Sequence, residues 1–269
     1  MIIDFHTHVF PNAMAEKTIA HLSQKGGIPS FSNGTADALL DQMQTAGIDL
    51  AVNLPVLTNP DKFESVNAFA AGLNQALENG RPRLLSFGAI HPKCADIEGK
   101  MAWLAAQGFR GVKIHPDYQE TFFDDEGYLR ILSAAKQHGL IVLTHAGVDC
   151  AYYGQPVRCT PERARRVIDA LPYQKLVLAH LGGIGMLDGV LELLCGQNVY
   201  FDTAYILRYT AKEDFDRVVQ KHGADRILFA SDSPWSHVGD DVTRLRSLSP
   251  DPKTQDMILC QNARALLGI

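Results

Sequence analysis

Eight short apolar runs, each separated from the next by a stretch of helical periodicity, recur from one end of this chain to the other. They are Ile2–His8, Ile48–Val56, Arg83–His91, Gly111–His115, Leu140–His145, Lys175–His180, Val199–Thr203 and Ile227–Asp232. Their near-continuous hydrophobicity suits strands covered on both faces, which in turn suits parallel pairing. Between them, Ile97, Met101, Leu104 and Ala105 recur at helical spacing, as do Ala164, Val167, Ile168 and Leu171, and Phe215, Val218, Val219 and His222. Thr160-Pro161-Glu162 reads as a helix start with proline at the first helical position. Gly47, Gly80, Gly108, Gly139 and Gly223 stand where helices should stop. This alternation predicts an α/β fold, a (β/α)₈ TIM barrel, in one domain spanning 1–269. An open doubly wound sheet fits less well, because no Gly-x-Gly-x-x-Gly turn follows the first strand.

Composition narrows the function classes. A hydrophobic fraction of 46% and a charged fraction of 20% are ample for one large core. A net charge of −5 gives no basic footprint for nucleic acid or an anionic membrane surface. The chain has no apolar stretch of about 18 residues and no secretory pattern at its start. Its five cysteines are scattered, with no Cys-x-x-Cys pair, and Cys150 and Cys159 share one loop. They read as reduced thiols of a cytoplasmic protein. The expected partner is a small-molecule substrate; a homo-oligomer is left open.

The polar, metal-competent residues gather at the C-terminal ends of the strand candidates, the catalytic face of a barrel. The first run ends in His6-Thr7-His8, and residues i and i+2 of a strand share a face. Two imidazoles aimed into the mouth make half of a tetrahedral site. His145, His180 and Asp232 end the fifth, sixth and eighth runs. A carboxylate buried beside imidazoles would be an unpaired charge without a compensating cation.

This ordered set, His6-x-His8, the strand-end His145, His180-Leu-Gly-Gly and Ser-Asp232-x-Pro, resembles the amidohydrolase superfamily. Within it, the set is similar to the amidohydrolase-2 group, which includes aminocarboxymuconate semialdehyde decarboxylase and related decarboxylases and hydrolases. Met43-x-x-x-Gly47-Ile-Asp49 also resembles that group, without carrying chemistry. The resemblance implies that His6, His8, His145 and Asp232 hold a metal and that His180 is a catalytic acid/base. The residue chemistry agrees. A divalent ion lowers the pKa of bound water towards about 7. Asp232 can ligate through one oxygen and accept a proton on the other. His180 brings an imidazole, the side chain best suited to a proton shuttle.

One divalent ion is expected, zinc first, with Mn²⁺, Fe²⁺ or Co²⁺ fitting the same donors. Lys113 and His115 should point into the mouth together, and both are candidates for binding substrate. In binuclear members of the superfamily a fourth-strand lysine can be carboxylated and bridge two ions; for Lys113 the expectation is an ordinary ammonium, a single metal and a carboxylate-bearing substrate. Trp235 is expected to wall the pocket. The loop after His145, with Asp149, Tyr152, Tyr153 and Arg158, is a natural specificity element in which Arg158 could hold a substrate carboxylate. Asn53 is expected to face the interior, Asp202 and Thr203 end the seventh run without an assigned role, and His21, His138 and His222 read as surface or boundary residues. The expected activity is hydrolysis of an amide, ester or lactone carbonyl by metal-activated water. The alternative is a nonoxidative decarboxylase. A non-catalytic metal-binding barrel is the third reading, and the proton-shuttling His180 argues against it.

Overall fold

The computed structural model describes residues 1–75 and 83–269, so the helix stop expected at Gly80 lies outside the described residues. Eight parallel strands form the framework: β1 Ile3–Thr7, β2 Leu50–Asn53, β3 in two pieces (Arg83–Ser86 and Gly88–Ala89), β4 Gly111–Ile114, β5 Ile141–Thr144, β6 Leu176–Leu178, β7 Tyr200–Asp202 and β8 Ile227–Leu228. Each pairs in parallel with the next. The ring closes where the backbone N–H of Phe5 donates to Phe229 O (2.9 Å) and that of Asp232 to His6 O (2.8 Å). A parallel bridge between Thr7 and Ser233 continues the seam. In the second piece of β3, a Cβ on Gly88 would lie 2.6 Å from Leu104 Cδ2 of the helix Ile97–Ala106, which packs closely there.

Alternation along the strands sorts the core into two layers. Ile3, Phe5, Val52, Phe87, Leu143, Val177 and Leu228 pack inside the barrel, plugged from below by Ala263, Leu266 and Leu267 of the C-terminal helix. Ile2, Ala51, Val112, Val142, Leu178 and Phe201 face outward against the helices. The helix stops fall as expected at Gly47 (φ 69°) and Gly139 (φ 68°), whose left-handed backbone favours glycine. Thr160 caps its helix by accepting from Arg163 N, ahead of Pro161. Two helices lie between β1 and β2: α1 (Asn12–Gly26) and α2 (Ala36–Ala46). Among the described residues, no helix is long and apolar enough to cross a membrane.

Candidate metal centre and active site

The strand parity that places Ile3 and Phe5 inside would send His6 and His8 outward. A register irregularity between Asp4 and Thr7 shifts that parity at the end of β1. Both imidazoles then turn into the mouth. Plain alternation suffices for Lys113, His145, Asp202 and Asp232, which follow the inward residues of their own strands. His180 lies one residue past inward Ala179 and reaches the mouth through a left-handed turn, with φ of 59° at His180 and 52° at Leu181. Asp232 sits at φ 69°. Non-glycine residues held in this region cluster at functional sites.

Three ligand atoms meet at the closing seam. His6 Nε2 and His8 Nε2 are 3.2 Å apart, and Asp232 Oδ1 lies 3.4 Å from the first and 3.2 Å from the second. The opposite nitrogen of each ring is fixed. His6 Nδ1 meets Asp202 Oδ2 at 2.8 Å, and His8 Nδ1 donates to Leu54 O at 2.8 Å. In the neutral rings the protons are therefore on Nδ1, and both Nε2 lone pairs face the carboxylate. Burial, followed by the charge of Lys113, holds the His6 pKa well below the ordinary imidazole range. For Asp232, burial pushes the pKa up, and positive charge at the His6 and His8 positions outweighs it, drawing the carboxyl below its ordinary value. His6 Nε2 can accept from Lys113 Nζ at 3.1 Å, but the His8 lone pair and the carboxylate repel one another at such distances unless a cation lies between them. Two neutral imidazoles and one carboxylate, each ring oriented by an outer acceptor, are a donor set that fits a divalent transition metal.

The rest of the mouth carries proton-transfer and charge chemistry. Lys113 is buried, with Nζ 3.1 Å from His6 Nε2. Desolvation lowers its pKa to about 8, against the pull of Asp202 and Asp232, so the ammonium form still prevails at neutral pH. His180 Nδ1 donates to Ala204 O at 2.8 Å, leaving Nε2 to accept from His145 Nδ1 at 2.9 Å. Among the described residues, His145 Nε2 and Asp117 Oδ2 are both buried without a hydrogen-bond partner, 4.0 Å apart. His115 stacks on His145 (centroids 4.3 Å, planes 8° apart) and points Nε2 at Asp149 Oδ2, 3.4 Å away. Burial raises Asp149 to about 6. His115, His145 and Asp149 also have ligand atoms close together, but stacked rings aim their in-plane lone pairs along parallel planes, so they do not converge on a second ion.

The structure thus brings together His6, His8 and Asp232 directly. His145, expected as a fourth ligand, is engaged with His180 instead. Lys113, His115, His180 and Trp235 all line the same cavity. Arg158 does not line it. Its guanidinium turns to Asp117 Oδ1 (3.4 Å), with Gln155 and Tyr152 beside it. Asn53 does not face the barrel interior as expected: it shares the outward parity of Ala51 and is buried beside Ser86, accepting from Val9 N and donating to Ser86 Oγ. His21 lines the mouth from α1, and His138 is exposed. His222 is neither surface nor boundary: it is buried and stacked on Phe201 at 3.8 Å. Sequence reasoning left Asp202 without a role and passed over Asp117. Asp202 accepts from His6, His180 N and Ala204 N, and its position at a strand end was the available signal.

The cavity above these residues measures about 1110 Å³. No curated protein matches the chain. Among solved structures, it is similar to a 2,6-dihydroxybenzoate decarboxylase from Rhizobium (16% identity, TM-score 0.70, covering 99% of this chain and 98% of that one). It is also similar to a 5-carboxyvanillate decarboxylase from Novosphingobium aromaticivorans, complexed with manganese and a nitrobenzoic acid (15%, 0.68, 100% and 96%). A third is a probable 2-pyrone-4,6-dicarboxylic acid hydrolase from Acinetobacter baumannii with citric acid bound (17%, 0.69, 100% and 99%). At these identities the likenesses establish the barrel and not the reaction. The family model described as Amidohydrolase matches residues 3–269, and the chain belongs to that metal-dependent superfamily.

Proposed function

We propose that this chain is a hydrolase acting on a small ring compound that bears a carboxylate. One divalent ion, zinc before manganese, iron or cobalt, would be held by His6, His8 and Asp232. His145 would be the fourth ligand, exchanging its hydrogen bond to His180 for the ion. The observation that carries this reading is the pair of Nδ1-pinned imidazoles whose Nε2 atoms face the ionised Asp232 within 3.2–3.4 Å. An ion bound there supplies an acidified water and a Lewis acid for a carbonyl oxygen. Lys113, charged and buried beside His6, binds and orients the carboxylate of the substrate. His180, fixed through Nδ1, can take a proton at Nε2 and return it to a leaving atom. The Asp232 oxygen not facing the imidazoles can hold a proton in transit.

One observation favours nonoxidative decarboxylation as a second reading. The buried Lys113 places a cation close enough to the triad for the carboxylate itself to be the reacting group, with His180 protonating the ring carbon. Two of the three structural relatives named above are decarboxylases. Incubating the metal-loaded protein with hydroxybenzoates and with pyrone and lactone carboxylates, followed by mass spectrometry, separates the readings. Hydrolysis adds the mass of water, and decarboxylation removes the mass of CO₂. Turnover of neutral amides in preference to every carboxylate would overturn both.

A further inference from the structure

The residues of the site make up only part of the cavity lining, which also includes His21, Lys25, Asn59, Lys62 and Ser65 beside a set of apolar side chains. Helix α1 shows two faces: Ala15 and Ile19 are buried in the core, while Met14, Thr18 and Leu22 line the cavity, with Met14 50% exposed. Val66 and Phe69 of the helix Phe63–Gln75 line the same cavity. Ile28 extends the α1 side. At the C-terminal end of α1, Lys25 sits over the rings of Tyr152 (4.0 Å) and Tyr118 (4.9 Å), which ties the helix to the loops after β4 and β5. The space enclosed, about 1110 Å³, exceeds the roughly 300–1,000 Å³ that ordinarily house a whole drug-sized ligand. A single ring seated over His6, His8, Asp232 and Lys113 would leave the space beside Met14, Leu22, Val66 and Phe69 filled with water.

We infer that the substrate is amphiphilic: a carboxylated ring seated at Lys113, with an alkyl, acyl or second-ring extension running into the apolar chamber beside Met14, Leu22, Val66 and Phe69. This rests on the carboxylate reading above and goes beyond it by naming the substrate's other half. The apolar chamber then selects by chain length, because each methylene removed from water there adds about 0.8 kcal/mol, close to a fourfold gain in affinity.

The test uses the zinc-loaded enzyme and a series of 4-alkylbenzoates from benzoate to 4-octylbenzoate, with Kd measured by calorimetry. Affinity should rise two- to fourfold per added carbon over at least the first four carbons, and Met14→Asp with Leu22→Asp should flatten that rise. Benzoate binding with no gain, or a loss, along the series overturns the amphiphilic substrate and leaves the carboxylate reading intact. No binding by any member overturns both. Equal affinities for a matched series of 4-alkylanilines would support the chamber and overturn the role of Lys113.

Discussion

The imidazole of His6 is held from behind by Asp202: Nδ1 meets a carboxylate oxygen at 2.8 Å while Nε2 faces His8 and Asp232. The same carboxylate accepts from the backbone N–H of His180 at 2.8 Å. One buried side chain therefore sets the direction of a metal-facing ring and of the proposed proton shuttle together. Outer partners of this kind typically change metal affinity or activity by about 10–100-fold. Wild type should hold about one divalent ion per chain and His8→Ala should lose it. Asp202→Asn should stay folded and bind the ion about 10–100-fold more weakly in a chelator competition. Equal affinity in wild type and Asp202→Asn would remove Asp202 from this role.

His180→Asn should retain the ion and lose turnover by about 10²–10⁴-fold, the usual worth of a positioned acid or base. Elemental analysis and kcat on the same preparation check both halves. Loss of the ion in this variant would make His180 a ligand.

Lys113 should be an unmodified ammonium, and intact mass spectrometry under mild conditions should show no added CO₂. Lys113→Met should weaken benzoate by about 10–100-fold, the range of a hydrogen bond to a charged group, while leaving a neutral benzamide unaffected. A carboxylated Lys113 would move the enzyme to a two-ion centre.

His222 makes an acid-stability prediction away from the site. Burial lowers its pKa to about 4, against about 6.5 unfolded. The folded state therefore keeps the ring neutral where the unfolded chain has already taken up a proton. Its contribution is complete above about pH 6.5 and is lost as pH falls towards about 4, on the order of 2–3 kcal/mol in total. Between pH 7.5 and 4.5, urea unfolding should show wild type losing more stability than His222→Gln. Equal losses would contradict the shift.

The fold was legible because period and punctuation agreed along the chain: strand runs, capped helices and terminal glycines such as Gly47 and Gly139 all fell where expected. Residue type and strand-end position also pointed to side chains that the fold gathers in one mouth, among them His6, His8, Lys113, His180 and Asp232. Two features were not legible. The parity shift in β1 is a backbone irregularity with no residue signature, so the sequence could say that His6 and His8 share a face but not which one. Arg158 illustrates the second, because a cation in a mouth loop is drawn to whichever anion the fold places beside it, and that anion is Asp117. His222 misled for a related reason: its periodic position pointed to the core, but its residue type suggested solvent.

The seam between β1 and β8 carries a consequence for how the molecule holds together. His6 and His8 stand near one end of the chain and Asp232 near the other, at or just past the ends of the two strands whose meeting turns an open ribbon into a ring. A cation gripped by all three would act as a clasp across the longest loop the fold must close, and binding to the closed form alone adds stability by mass action. Chelation should then speed hydrogen exchange first at the amides of Phe5, His8 and Asp232, while those of Val142 and Leu143 hold. Exchange that quickens evenly around the ring would mean that closure does not depend on the clasp.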